Sequence, residues 1–486
     1  MGFFKAYDMR GTFGTDFDLD TVFKVGRALP QVVKGKRWLV GRDCRTTSKD
    51  VHDALVKGLV DAGAEVSDLG RSTTPMVYYF TAADGFDGSV MITASHNPPS
   101  DNGLKVSMKT ALPVGYANGL DEVERLVKGS KVQADERPNP EVTTLVDSLP
   151  RYISWHKQHS NLRTFKPSNP QTFEPSDLRI GVDCSNGMAS ILVHELFPDA
   201  VVINDTLDGS FPNHSPNPLK AEAREQLAAL VREKRLDCGI IFDGDADRAM
   251  FVDERGEFVQ PDYLIPIVAK ATLAVAAPDL NTQTPDPNAP TPQHPDTIKV
   301  IHDVRTSRGA IETLKENGFE PVMVPVGHAF AKPILREVKA LCGGELAGHY
   351  YFSEFFGCDS GVLAALRVLS GFQRWRNEVE ADDGRKTFSE MMKPITSRYA
   401  NSGELNFKVE DKDAAIERVL AVTAAKLPRE LSRSTMDGIR IEYEDGWINI
   451  RKSNTEPYLR LIAECKTQAM LEEWVALAKG AIGNEF

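Results

Sequence analysis

Ser95 lies in Thr93-Ala94-Ser95-His96-Asn97-Pro98, directly after the apolar run Ser89-Val90-Met91-Ile92. A strand that ends in a turn of small residues, Asn and Pro holds a hydroxyl at a defined place. His96 is adjacent, and Lys105 follows in Asp101-Asn102-Gly103-Leu104-Lys105. A nucleophile, a proton carrier and a cation are what a serine needs when an anionic transition state forms. Taken alone, Ser-His-Asn also suits an ordinary polar turn. The reading rests on what stands further along the chain.

Asp243-Gly244-Asp245-Ala246-Asp247-Arg248 follows the apolar run Ile240-Ile241-Phe242. Carboxylates at alternate positions can converge hard oxygens on one cation, and such ligands suit Mg²⁺. Arg248 adds a guanidinium for a phosphoryl oxygen. An EF-hand is the rival reading. Glu254 does fall where that loop takes its last ligand, but Arg248 stands where it needs Gly. Ala249 to Val252 reads as strand, and no helical pattern flanks the loop, so the EF-hand is rejected.

Two further loops carry chemistry. Arg451-Lys452-Ser453-Asn454-Thr455-Glu456-Pro457, with Arg460 nearby, combines guanidinium, hydroxyls and an amide. That set can cradle a phosphate, although a plain surface turn fits it equally. Gly344-Glu345-Leu346-Ala347-Gly348-His349 offers a carboxylate that can accept from adjacent sugar hydroxyls. His328, after Gly327, is a similar candidate.

These residues need elements to hold them. Trp38-Leu39-Val40 predicts a buried strand, Val51 to Ala62 a helix stopped by Gly63, and Ala64-Glu65-Val66 the next strand. Strand and helix in alternation predict parallel sheets covered by helices, with ligands at the strands' C-terminal ends. Gly11 and Gly14 predict a loop. A weak repeat links Val40-Gly41-Arg42-Asp43, Gly181-Val182-Asp183 and Ile301-His302-Asp303. Each is a strand ending in Asp, at domain-sized intervals. The expected divisions are 1–150, 151–259, 260–375 and 387–486. Residues 277–296 are rich in Pro, Asn, Thr and Gln and predict a mobile insertion. Arg376 to Lys386 predicts helix plus linker.

The chain has 486 residues, long enough for several domains. Its 41% hydrophobic and 26% charged residues suit a globular protein, and a net charge of −12 argues against a general nucleic-acid binder. No apolar run approaches the ~20 residues of a membrane helix, and Met1 to Asp8 lacks a signal-peptide pattern. The six cysteines form no C-x-x-C pair, which suits reduced thiols in the cytoplasm.

Together these loops resemble the α-D-phosphohexomutase family, in its phosphomannomutase/phosphoglucomutase branch. The resemblance spans the chain, one loop per quarter, and Tyr7-Asp8-Met9-Arg10-Gly11 resembles the family's N-terminal signature. It implies three related α/β domains with mixed or parallel sheets and a smaller α+β C-terminal domain around a central cleft. It also implies transfer of a phosphoryl group between O1 and O6 of a hexose. Ser95 would carry the phosphoryl, and Ser95 with Asp243, Asp245 and Asp247 would hold Mg²⁺. A hexose 1,6-bisphosphate would be intermediate and activator. Lys105 and Arg248 would offset charge, Arg10 would assist the bisphosphate as it reorients, His96 would flank the serine, and His328 or Lys105 would move protons. Glu345, Ala347 and His349 would face the sugar, while Arg451, Ser453, Asn454 and Thr455 would grip the distal phosphate.

One departure stands out. The family's sugar loop usually reads Gly-Glu-Met-Ser-Gly-His, and Ala347 stands in place of its serine. The expected partners are sugar phosphates, without nucleic acid or membrane, for a monomer or dimer. Phosphoglucosamine mutase, a Mg²⁺-dependent sugar phosphatase and a non-catalytic sugar-phosphate sensor are the competing readings.

Overall fold

The computed structural model describes residues 2–130, 142–160, 178–276, 297–378, 386–453 and 458–483. Residues 277–296, most of the expected linker after Glu378, and Asn454 and Thr455 lie outside them.

The first sheet has seven strands. Arg37–Arg42 lies at its centre, parallel to Gly88–Ile92 on one side and Glu65–Arg71 on the other. The expected helix over 51–62 is Ser48–Asp61. Beyond Gly88–Ile92 the direction reverses, because Asp101–Met108 returns antiparallel to it. The sheet is therefore mixed, not purely parallel. The chain bends back through a short loop instead of a helical crossover, so the next strand must pair antiparallel.

The second and third sheets repeat this plan. Ile180–Asp183 runs parallel to Cys238–Phe242, which returns antiparallel as Ala249–Asp253. Ile298–Asp303 runs parallel to Cys342–Gly344, which returns antiparallel as Tyr350–Phe352. The serine loop, the Asp-rich loop and the Glu345 loop thus occupy one equivalent place, the hairpin after a central strand. The three repeat aspartates also match. Asp183 and Asp303 end the neighbouring parallel strand and Asp43 directly follows it; each is buried, and each accepts a backbone N–H two residues on. The Asp therefore caps the turn that leaves the strand.

The segment read as an N-terminal loop is partly strand. Met9–Thr12 pairs antiparallel with Asp101–Met108, Arg10 opposite Gly103. A Cβ at Gly103 would lie 2.3 Å from the Met9 carbonyl oxygen, so only Gly lets the strands meet. The turn proper comes at Gly14, with φ +81°.

One apolar cluster joins the first three domains, from Leu39 and Met76 through Ile240 and Phe242 to Val300 and Tyr350. The helix Phe388–Thr396 adds Phe388, Met391, Met392 and Ile395 to that cluster. Phe388 meets Phe251 of the second sheet and Phe372 of the helix Gly361–Glu378, although the expected fourth segment begins at 387. The last domain has its own core, including Ile448, Leu461 and Trp474, on an antiparallel sheet. Among the described residues, no helix is long and apolar enough to cross a membrane.

Candidate active site

Ser95 is buried and holds φ 51°, a left-handed conformation that a residue with a Cβ enters at a cost. Its backbone N–H donates to Thr93 Oγ1 at 2.8 Å. Its hydroxyl donates to Asp243 Oδ2 at 2.8 Å, and His96 Nδ1 is 3.2 Å away. Burial, then Arg248 and Arg10, drive the His96 pKa well down. The imidazole is neutral and takes no cationic role. Arg10 reaches the loop at Asn97 Oδ1, 3.2 Å, while pairing with Asp8 at 2.5 Å.

Asp243, Asp245 and Asp247 are all buried, and one ligand oxygen from each converges within 4.8 Å of the others. No helix flanks them; the hairpin strands Cys238–Phe242 and Ala249–Asp253 hold the loop. Burial and then the charges of Asp247 and Asp245 push the Asp243 pKa well up. Three carboxylates in one dry site lack sufficient positive charge. Asp245 Oδ1 and Asp247 Oδ1 are buried without a hydrogen-bond partner. Hard, orphaned oxygens at this spacing fit a divalent cation.

Lys105 Nζ partly compensates the cluster, 2.7 Å from Asp245 Oδ2 and 2.5 Å from Asp247 Oδ2. Burial opposes its charge, yet the two carboxylates outweigh burial and raise its pKa. Lys105 is therefore a fixed ammonium. Thr74 Oγ1 also donates to Asp245, at 2.5 Å.

The Glu345 loop turns at Gly348, φ +85°, with the Gly348 N–H donating to the Glu345 carbonyl at 3.0 Å. Glu345 accepts from the Tyr351 hydroxyl and from Gly327 N–H. Ala347 is half-buried. His349 Nδ1 pairs with Asp359 Oδ2 at 2.7 Å, and Arg248 Nε donates to His349 Nε2 at 3.0 Å. Asp359 is held in turn by the fully buried Lys332, 2.8 Å away. Burial favours the protonated carboxyl, but Lys332 and His349 hold the Asp359 pKa well below the usual range. With the carboxylate on Nδ1, Nε2 is the ring's acceptor, and Arg248 meets it there.

His328 opens the helix His328–Glu337, its ring 6.1 Å from that of His349. Its Nδ1 is buried and unpartnered, and burial, then Lys332, drives its pKa well down. Of the two expected proton carriers, Lys105 is thus locked between carboxylates and His328 is held neutral.

Arg451 is the penultimate residue of the strand Gly446–Lys452 and is buried. Its Nη2 donates to Glu404 at 3.3 Å. Arg305, 3.2 Å from Glu404, and Arg460, 3.0 Å away, share that carboxylate. Arg305 is also held by Asp303, 2.6 Å away, and guanidiniums gathered at one place suit a phosphate. Ser453 is half-buried beside them, its N–H bonded to the Tyr458 carbonyl.

Sequence reasoning passed over Arg45, Thr74, Arg305, Lys332, Asp359 and Glu404. Arg45 and Arg305 had a signal: each stands two residues after a repeat aspartate, as Asp-x-Arg. Asp359 and Glu404 stand in no pattern, and only folding brings them to the site.

Four family models match in order. They are phosphoglucomutase/phosphomannomutase alpha/beta/alpha domains I, II and III and the C-terminal domain, at residues 1–133, 150–256, 270–399 and 404–478. The chain belongs to the phosphoglucomutase/phosphomannomutase family, the α-D-phosphohexomutases. It is 32% identical to a phosphomannomutase of Escherichia coli, covering 98% of this chain and 99% of that protein. It is 34% identical to a protein named phosphohexose mutases in Xanthomonas campestris pv. campestris, covering 97% and 96%. The crystal structure of a family protein from Burkholderia thailandensis superposes with TM-score 0.80 at 26% identity, covering 99% of this chain and 96% of that one.

Proposed function

We propose that the protein interconverts hexose 1-phosphate and hexose 6-phosphate, with mannose or glucose as the sugar. The intermediates are a phosphoserine at Ser95 and a hexose 1,6-bisphosphate. The observation that carries this reading is the Ser95 hydroxyl, 2.8 Å from Asp243 in a buried three-carboxylate loop with Lys105 and Arg248 at its edge. Arg451, beside Arg460, gives a second place for phosphate, as a substrate with two phosphorylated ends requires.

Asp243, Asp245 and Asp247, with an oxygen on Ser95, would hold Mg²⁺, which supplies Lewis-acid charge to the phosphoryl oxygens. The bond between phosphorus and Ser95 Oγ breaks as one forms to the free hydroxyl at C6 or C1. With Asp359 on its Nδ1–H, His349 takes that hydroxyl's proton at Nε2, where the hydroxyl would displace Arg248 Nε. Lys105, Arg10 and Arg248 offset charge on the transferring group. The bisphosphate then reorients, its other phosphoryl returns to Ser95, and the proton goes back to the sugar oxygen released. Arg451 and Ser453, with Asn454 and Thr455, grip whichever phosphate is distal and turn remote binding into alignment. Glu345 and the half-buried Ala347 face the sugar. Six unpaired cysteines support a cytoplasmic location, where thiols stay reduced.

The test is turnover of mannose 1-phosphate, glucose 1-phosphate and glucosamine 1-phosphate with Mg²⁺ and a trace of the matching bisphosphate. Isomerisation of the first two is expected, with one phosphoryl group on the wild-type protein by intact mass and none on Ser95→Ala. Phosphate release without isomerisation would replace this reading with a phosphatase. Strong preference for glucosamine 1-phosphate would move the protein to that branch.

A further inference from the structure

The Arg45 side chain is fully buried. It makes the densest set of bonds to the serine loop. Nη2 donates to the carbonyls of Ser95, at 2.8 Å, and Asn97, at 2.7 Å. Nη1 donates to those of Pro98, at 2.6 Å, and Asp101, at 2.9 Å. One planar fork thus collects four carbonyls from both limbs of the loop. Asp43 fixes it from below, 3.2 Å from Nε.

The other side of this clamp belongs to the second domain. Phe211 lies under the guanidinium, 5.0 Å from ring centre to Cζ. A Cβ at Gly209 would fall 2.4 Å from Arg45 Cα, so that loop rests directly on Arg45. A Cβ at Gly244 would fall 2.6 Å from the Ser95 carbonyl oxygen, the same atom that Arg45 holds, and 3.5 Å from the Phe211 ring. The Ser95 backbone is gripped by Arg45 while it touches the Asp-rich loop.

We propose that Arg45 is the positioning residue for phosphoryl transfer. Its fork holds Ser95 in the left-handed conformation and sets the distance between the Ser95 Oγ and the Asp243–Asp247 loop. A left-handed non-glycine residue persists only where its surroundings enforce it, and Arg45 supplies that enforcement. The inference rests on Ser95 as the phosphoryl carrier.

The experiment compares wild type, Arg45→Lys and Arg45→Met, using mannose 1-phosphate with glucose 1,6-bisphosphate and Mg²⁺. Lysine keeps the charge beside Asp43, but its single nitrogen cannot span four carbonyls. Misalignment of an ångström costs about 100-fold in rate. The expected result is a kcat loss of about tenfold for Arg45→Lys and about 100-fold for Arg45→Met, with KM within about threefold of wild type. Single-turnover transfer from phosphorylated Ser95 should slow by the same factors. A folded Arg45→Lys with wild-type kcat overturns the proposal, as does a loss confined to KM. If Arg45→Met does not fold, Arg45→Lys alone decides. If neither folds, Arg45 serves the fold alone and the proposal is overturned. A wild type that never carries phosphate on Ser95 would instead overturn the function proposed above.

Discussion

Lys105 Nζ stands 2.5 Å from Asp247 Oδ2, both side chains almost wholly buried. The lysine comes from the strand that follows the serine loop, and the aspartate from the loop of another domain. Their pairing joins the nucleophile's hairpin to the cation site. Removing one partner of a buried pair costs about 3–5 kcal/mol. Lys105→Met should therefore lower the melting temperature without Mg²⁺ and reduce kcat by at least about 100-fold. Added Mg²⁺ should raise Tm more in the variant than in wild type, because a divalent cation relieves the carboxylates that lost their lysine. Thermal scans with and without Mg²⁺ measure this; equal shifts would contradict it.

Asp359 holds His349 Nδ1 at 2.7 Å and so fixes which nitrogen faces Arg248. Asp359→Asn keeps the shape but loses the carboxylate that fixes the tautomer. We expect kcat/KM to fall by about 10²–10⁴. His349→Gln should fall comparably, and the double variant should be little worse than either single one, since the pair acts as a unit. Steady-state kinetics on all three variants give the answer, and additive losses would separate the two roles.

Ala347 is half-buried in the turn closed by Gly348. Ala347→Ser adds a hydroxyl beside Glu345 without filling a packed core. One hydrogen bond to the sugar is worth about 1 kcal/mol. KM for mannose 1-phosphate and glucose 1-phosphate should drop by about fivefold with kcat little changed. An unchanged KM for both sugars would mean that the position does not meet them.

Asp262 is buried, and one of its oxygens accepts from Ser307 N–H at 2.8 Å while the other has no hydrogen-bond partner. Burial raises its pKa to about 7. An unfolded aspartate titrates near ~3.9, so between these values the folded state binds the extra proton. Stability from this group is complete below about pH 4 and is lost as pH rises to about 7. Asp262→Asn, whose amide oxygen can still accept from Ser307, should flatten that decline and exceed wild type in stability at pH 8. Urea unfolding of both proteins from pH 5 to 8 measures the difference, and parallel curves would refute the assignment.

The sequence alone determined the pieces whose chemistry is local. Phe242 running into three alternate aspartates specifies a rigid acidic loop, because a buried strand leaves a turn little freedom. Ser95 after Val90-Met91-Ile92 is specified in the same way. The three aspartates at strand ends also disclosed the repeat, since capping a turn two residues on needs only neighbours in the chain. Tertiary structure decided what depends on distant partners. The reversal of Asp101–Met108 comes from a tight hairpin that strand periodicity does not encode. Periodicity likewise does not tell which core buries Phe388, Met391 and Met392. Asp359 has no motif of its own, yet it orients His349. Glu404 collects arginines from two domains, and Arg45 reaches four carbonyls fifty or more positions away. Side-chain charge and shape are written residue by residue, but which charges meet is set by how the sheets pack around the cleft.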